Sequence, residues 1–324
     1  MGGEAVERMS LRQGDRSAAV EVLQLALNAR GASLVPDGIF GSRTDAAVKV
    51  YQARWGLVVD GIAGPRTLAA LGLDAAPSTL PTGADPQAIP VPPEGWIVGV
   101  DISDAQGLVD GAALAASGVS FAYLKVSDGR HDAQRHARTN ARAIVAAGIP
   151  VGFYGVLEPY GVEAVEAQVV NFCRRIEETG VAPTLPPWCD FEIAAGLSGL
   201  AALEAAALWC EQVEQVVLAR PMIYTGPAFF ALLAHYAGPP GVPVLARIKR
   251  FPLAVAHYGR TIARGPDVPA PWQDWTVWQY SGDPAGAGQK ARPWSRLPGG
   301  RGAVDVDFFR GTIEDLRALG KVEA

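Results

Sequence analysis

Cationic runs, long apolar runs and paired cysteines are all missing from this chain. No cluster of Lys and Arg is long enough to track a phosphate backbone, and the 324 residues carry a formal charge of −5. Both facts speak against a nucleic-acid partner, whose phosphates require clustered cations. No run of about 18 apolar residues is present, so no membrane partner is expected. The opening stretch from Met1 to Arg8 has neither a basic start nor an apolar core, and no signal peptide is expected. Cysteine is scarce: Cys173, Cys189 and Cys210 are odd in number and lack metal-ligand spacing, which excludes a disulfide framework and a zinc site. The four histidines, His131, His136, His235 and His257, form no metal-like or triad-like arrangement. Ser103 and Ser127 lack a nearby base. The chain is therefore expected to need no metal and no cofactor, and to use no serine nucleophile.

What is present suffices for a large core plus a small second domain, with hydrophobic residues at 49% of the chain. Two segments share one local pattern: Asp37-Gly38-Ile39-Phe40-Gly41-Ser42-Arg43-Thr44 and Asp60-Gly61-Ile62-Ala63-Gly64-Pro65-Arg66-Thr67. Each reads as a turn feeding a helix. Asp-Gly supplies a residue tolerant of positive φ, and Ser42 or Pro65 suits a helix start. Val48, Tyr51, Gln52 and Trp55 follow helical spacing, as do Val20, Leu23, Gln24 and Leu27. A three-helix domain is predicted over residues 10–73. From 74 to 95 the composition turns to Pro, Ala, Thr, Ser and Gly, with Pro77, Pro81, Pro86, Pro90, Pro92 and Pro93, and reads as a semi-extended linker.

Residues 96–324 alternate β-type runs with Ala-rich helical segments. The expected strands are 97–101, 121–126, 150–154, 185–192, 221–224, 253–256, 275–280 and 303–307; helical patterns cover 132–147, 162–179 and 200–218. Such alternation predicts an α/β fold with a parallel β/α barrel or sheet. Asp101, Asp128, Tyr154, Asp190, Glu192, Tyr224, Gln279 and Asp305 all fall at the ends of these segments, where barrel chemistry gathers. An open doubly wound sheet would place them similarly.

Asp190 and Glu192 stand at i and i+2 after the Pro-rich stretch ending at Pro187. On a strand they share one face, roughly 6–7 Å apart at Cα. Carboxyl pairs that cleave glycosidic bonds lie about 5–10 Å apart, one protonated for the leaving oxygen and one ionised toward the developing cation. Crowded carboxylates cannot all ionise cheaply, so one member should hold a proton near neutral pH. Cys189 should face the opposite side of the strand.

Two resemblances rest on these motifs. Leu11-Arg12-Gln13-Gly14-Asp15, Val20-Glu21-Val22-Leu23-Gln24, Ala47-Val48-Lys49-Val50-Tyr51-Gln52 and the paired Asp-Gly units resemble the peptidoglycan-binding domain of cell-wall hydrolases. Gly99-Val100-Asp101-Ile102-Ser103, Phe121 to Gly129, Gly148 to Tyr154, Asp190-Phe191-Glu192, Pro221 to Thr225, Trp278-Gln279-Tyr280 and Val304-Asp305-Val306-Asp307-Phe308 occur in the order seen in glycoside hydrolase family 25 lysozymes. That likeness implies a modified β/α barrel with N-acetylmuramidase activity on bacterial peptidoglycan glycan strands. It makes Glu192 the general acid and Asp190 the carboxylate stabilising an oxocarbenium or oxazolinium ion, with Asp101 and Asp305 as further acidic positions of the cleft. Tyr154, Tyr224, Trp278, Gln279, Lys125 and Asp128 are the expected substrate contacts, although the three aromatics could equally be barrel core. The sequence departs from the family pattern at Ala105, Asp128, Gly155 and Ala254, changes expected to thin the cleft lining. A monomer is expected, released to the wall as an endolysin is or by non-classical export. A catalytically silent wall binder and a glycosidase of other specificity are the alternatives.

Overall fold

The computed structural model describes residues 10–29, 32, 34–35, 37–54, 57–71, 73, 89–130, 132–159, 162–194, 196–258, 260–281, 295–298 and 303–321. Contacts divide the chain into two units, Met1–Thr79 and Leu80–Ala324. Most of the expected linker (74–88), Trp55 and His131 lie outside the described residues.

The small unit holds α1 (Ala18–Ala29), α2 (Ser42–Arg54) and α3 (Pro65–Leu71). Their apolar stripes bury Val20, Leu23, Leu27, Phe40, Val48, Tyr51, Ala63 and Leu68 in one core. The sequence repeat is also a hydrogen-bond repeat. Gln24 Nε2 donates to Asp37 Oδ1 (2.9 Å), Ile39 O (3.0 Å) and Thr44 Oγ1 (3.0 Å), and its Oε1 accepts from Gly38 N (3.0 Å). Gln52 does the same with Asp60, Ile62, Thr67 and Gly61. Gly38 and Gly61 have φ of 68° and 77°, a left-handed turn that only glycine enters cheaply. Each buried glutamine thus pins a turn to the helix that follows it.

The large unit contains β1 (Trp96–Ile102), α4 (Gly111–Ala116), β2 (Phe121–Asp128), β3 (Asp132–Ala133), α5 (Ala137–Ala146), β4 (Val151–Val156), α6 (Val162–Thr179) and β5 (Trp188–Asp190). It continues with α7 (Gly199–Val217), β6 (Met222–Thr225), α8 (Pro227–Ala237), α9 (Val242–Ile248), β7 (Leu253–Ala256), β8 (Val277–Ser281), β9 (Ser295–Arg296), β10 (Ala303–Arg310) and α10 (Ile313–Ala318). The barrel runs β1-β10-β8-β7-β6-β5-β4-β2 and closes by parallel pairing of β2 with β1. Only β10 breaks the parallel order, lying antiparallel to both β1 and β8. Closure removes the sheet edges and leaves no room for the doubly wound alternative.

The interior is a packed aromatic column. Tyr123, Trp188 and Tyr224 stack in sequence, with ring centroids 3.8 Å and 5.8 Å apart. Two glycines make the room: a Cβ on Gly99 would sit 2.2 Å from the Phe121 ring, and one on Gly152 would sit 2.3 Å from Tyr123. Outside, Arg247 of α9 grips Glu211 of α7 with two parallel bonds of 2.9 and 2.7 Å.

Several element expectations are corrected. Residues 132–136 are not the start of a helix; Asp132 and Ala133 form a hairpin strand on β2, and α5 begins at Ala137. The expected strand 185–192 is paired only over Trp188–Asp190, because Pro186 and Pro187 carry no N–H to donate to a ladder. Four short helices, α4, α8, α9 and α10, lacked enough periodic turns to be read from sequence.

Candidate active site

Parallel strands deliver their C-terminal residues to one rim. Asp101 ends β1, Lys125 and Asp128 end β2, Tyr154 lies on β4, Asp190 ends β5, Tyr224 lies on β6 and Gln279 on β8. Because β10 runs the other way, its start reaches the same rim, and Asp305 is registered opposite Asp101. Alternation then sends Asp307 to the interior one layer lower, opposite Gly99 and Gln279.

Asp190 and Glu192 are brought together, though not by one continuous strand. Past the end of β5, Phe191 N donates to Tyr224 O (2.8 Å), which keeps the chain extended for one more residue. Phe191 itself is fully buried, edge-on to Phe229 of α8 at 5.3 Å. That outward anchor turns the two flanking carboxyls into the cleft. Cys189 faces outward too, against Cys210 of α7; both are buried, while Cys173 is half-buried.

Beneath the cleft, a bonded network fixes Asp101, which is 5% exposed. Gln279 Nε2 donates to Asp101 Oδ2 at 2.7 Å, and the Tyr154 hydroxyl donates to Oδ1 at 3.4 Å. Gln279 Oε1 in turn accepts from the hydroxyls of Tyr224 (2.8 Å) and Tyr258. With two hydroxyls on its oxygen, the amide can only aim its NH2 at Asp101. Lys125 pairs with Asp128.

Electrostatics separate these groups from ordinary surface acids. Burial, then the Glu192 charge, pushes Asp190 well above the usual carboxylate range, with Lys125 pulling the other way. Burial, then the Asp101 charge, raises Glu192 to about 7, again opposed by Lys125. Glu192 is nevertheless exposed, so water moderates that upward push. Asp101 is raised to about 6 by burial, held back by donors on Gln279, Tyr154 and Asp307. Crowding and burial thus favour a proton shared within the cluster, the state an acid catalyst requires.

The expected sugar contacts divide. Lys125 and Asp128 are partly open at the rim. Tyr154, Tyr224 and Gln279 are 8%, 7% and 2% exposed and bond to Asp101 or to each other. Trp278 is corrected to a core residue: it has no exposed surface, lies on the strand face opposite Gln279, and donates its indole N–H to His257 O at 2.9 Å. Of the departures, Gly155 is corrected likewise, since a Cβ there would meet Ser127 and Phe172 of α6 rather than the cleft. Ala254 is buried inside the barrel beside Tyr224 and Val277; Ala105 is exposed on a short 3-10 turn.

Sequence reading missed two residues. Asp307 carried a usable signal, the same i, i+2 spacing from Asp305 that joins Asp190 to Glu192. Tyr258, in the loop after β7, had none.

Comparison with known proteins bears on the family and the fold. The profile described as glycosyl hydrolases family 25 matches residues 100–289, more than half of the chain, and that of a putative peptidoglycan binding domain matches residues 16–71. Lysozyme M1 of Streptomyces globisporus is 26% identical over 249 residues, covering 74% of this chain and 76% of the relative. The protein YegX of Escherichia coli K12 is 27% identical over 242 residues, or 72% and 76%. The crystal structure of the bacterial lysozyme from Streptomyces coelicolor superposes with a TM-score of 0.55 at 24% identity, covering 69% of this chain and 96% of the other.

Proposed function

The chain belongs to family 25 of the glycosyl hydrolases, and from that premise we propose that it is a cell-wall lytic N-acetylmuramidase acting on the β-1,4 bond from N-acetylmuramic acid to N-acetylglucosamine. The observation that carries the reading is the Asp190–Glu192 pair, set on either side of the buried Phe191 at the barrel rim, where burial and mutual repulsion push both carboxyls upward.

In the mechanism we infer, protonated Glu192 gives its proton to the glycosidic oxygen as the C1–O bond of the muramic acid breaks. Asp190 faces the positive charge that grows on the sugar, either on the ring or on an oxazolinium formed by the 2-acetamido group. Water then adds at C1, and its proton returns to the carboxylate of Glu192. Asp101, immobilised by Gln279 and Tyr154, supplies fixed negative charge below the reacting centre, and Asp305 faces it across the β1–β10 pair. Lys125 and Asp128 stand at the rim to meet the glycan. The small unit binds peptidoglycan and raises the local concentration of catalytic unit at an insoluble substrate. As a monomer, it would reach the wall when the producing cell lyses or through export.

Product analysis tests this. Peptidoglycan digested with the wild-type chain and with Glu192→Gln is reduced with borohydride, and the new ends are identified by mass spectrometry. Muramitol ends from the wild type alone are expected. Glucosaminitol ends would move the cut to the other bond, and no ends from a chain that still pellets on the wall would make it a binder.

A further inference from the structure

Among the described residues, Asp307 is the one acid of the barrel interior that this mechanism does not use. It is completely buried, and neither carboxyl oxygen meets a hydrogen-bond donor among the described residues. An ionised carboxylate left so would be a bare charge in a medium of low dielectric, the costliest arrangement a protein core can hold. Its surroundings offer no relief. Asp101 of β1 and Asp305 of β10 are like charges acting on it. The hydroxyls of Tyr123 on β2 and Tyr154 on β4 are close enough to feel its charge. The cation of β2, Lys125, is already paired with Asp128.

The β1–β10 register sets Asp307 on the same inward face as Asp305, the partner of Asp101, one layer lower, and from there its carboxyl engages that of Asp101. Two carboxyls can bond only when a proton lies between them. Asp101 already accepts from Gln279 and Tyr154, and a third donor from below completes its shell. We propose that Asp307 is a positioning residue for the hydrolysis: it keeps its own proton and donates it in a hydrogen bond to Asp101, holding Asp101 as a fixed anion under the cleft. Burial and the adjoining acids all push Asp307 toward the protonated form, which is the same direction.

The proposal deepens the muramidase reading, so its test has one arm that depends on that reading and one that does not. In the first, soluble peptidoglycan fragments are hydrolysed across a pH series. Asp307→Asn keeps an N–H donor toward Asp101 and should leave kcat within about threefold and the acid limb in place. Asp307→Leu has similar volume and no donor, so Asp101 becomes easier to protonate and the acid limb of kcat should move up by about one pH unit with KM little changed. In the second arm, the infrared spectra of wild type and Asp307→Asn are subtracted at neutral pH, without substrate. The carbonyl stretch of a protonated carboxyl should be present in wild type and lost in the variant. Absence of that band overturns the proposal even if the Leu variant fails to fold, and so does an Asn variant as impaired as the Leu one.

Discussion

Aspartate does opposite things in the two units of this chain. In the small unit, burial pushes Asp37 upward but is outweighed by bonds from Gln24 and the Ile39 N–H, and the Ile39-equivalent N–H of Ile62 together with Gln52 lowers Asp60; both carboxyls end below their ordinary value. In the barrel, burial dominates, and Asp101, Asp190 and Asp307 all end above it. The difference lies in depth: Asp37 and Asp60 stand at the surface, where their donors win, whereas burial outweighs even the donors that Asp101 is given. A carboxylate surrounded by donors is finished architecture, content to remain charged. Buried acids crowded against one another cannot all be charged, and the cluster they form has to share out its protons.

The contrast can be broken at its strongest point first. Glu192→Gln should lower hydrolysis by about 10²- to 10⁴-fold, measured as release of reducing ends, while the melting temperature holds or rises because a group that resists ionising in the crowded cluster is replaced by a neutral one. In the small unit, Gln52→Ala removes donors from Asp60, Ile62 O and Thr67 at once and should destabilise that unit by about 2–3 kcal/mol. Denaturant unfolding would report it, with kcat on soluble fragments unchanged; Gln24→Ala should cost a similar amount if the two turns are true equivalents. Trp278→Phe should cost about 1–2 kcal/mol, since the His257 carbonyl loses its donor and the site loses volume. KM on soluble fragments should not move, and a weakened KM would return Trp278 to the list of sugar contacts.

The smallest effect is a difference of sign with pH. Asp37 and Asp60 have lowered folded values, so their contribution is present above the ordinary carboxylate range and is lost as pH falls through it. Asp101 and Glu192 have raised folded values, about 6 and about 7. Their neutral forms favour the folded barrel, and that contribution is lost as pH rises from the unfolded values toward 7. Hydrogen exchange on the intact chain, resolved by unit, should show the barrel loosening between about pH 4 and about pH 7, and the small unit loosening only below about pH 4. A common direction in both units would end the comparison.

The repeat, the barrel and the Asp190–Glu192 pair were legible because each is a pattern in chain order: a doubled turn, a regular alternation, an i, i+2 spacing. What sequence could not supply is depth. Tyr154, Tyr224, Gln279 and Trp278 all sit near strand ends, and their motif positions look alike on paper. Strand pleat and barrel closure sort them, sending Gln279 inward to Asp101 and Trp278 outward into the core under the loops. Asp307 was passed over for the same reason, since an acid one layer below the rim has the same spacing as one at the rim. Tyr258 reaches the network from a loop, where no periodicity marks it.

The reversed direction of β10 carries one more consequence, for the order in which the molecule is made. The barrel opens with β1 and is sealed by β10, so the strand that gives Asp305 and Asp307 to the site is the last barrel strand to leave the ribosome. Until it does, β1 and β8 are bare edges and Asp101 has no acid opposite it. In a barrel built this way the ring of acids around the cleft is complete only once β10 has paired with both β1 and β8.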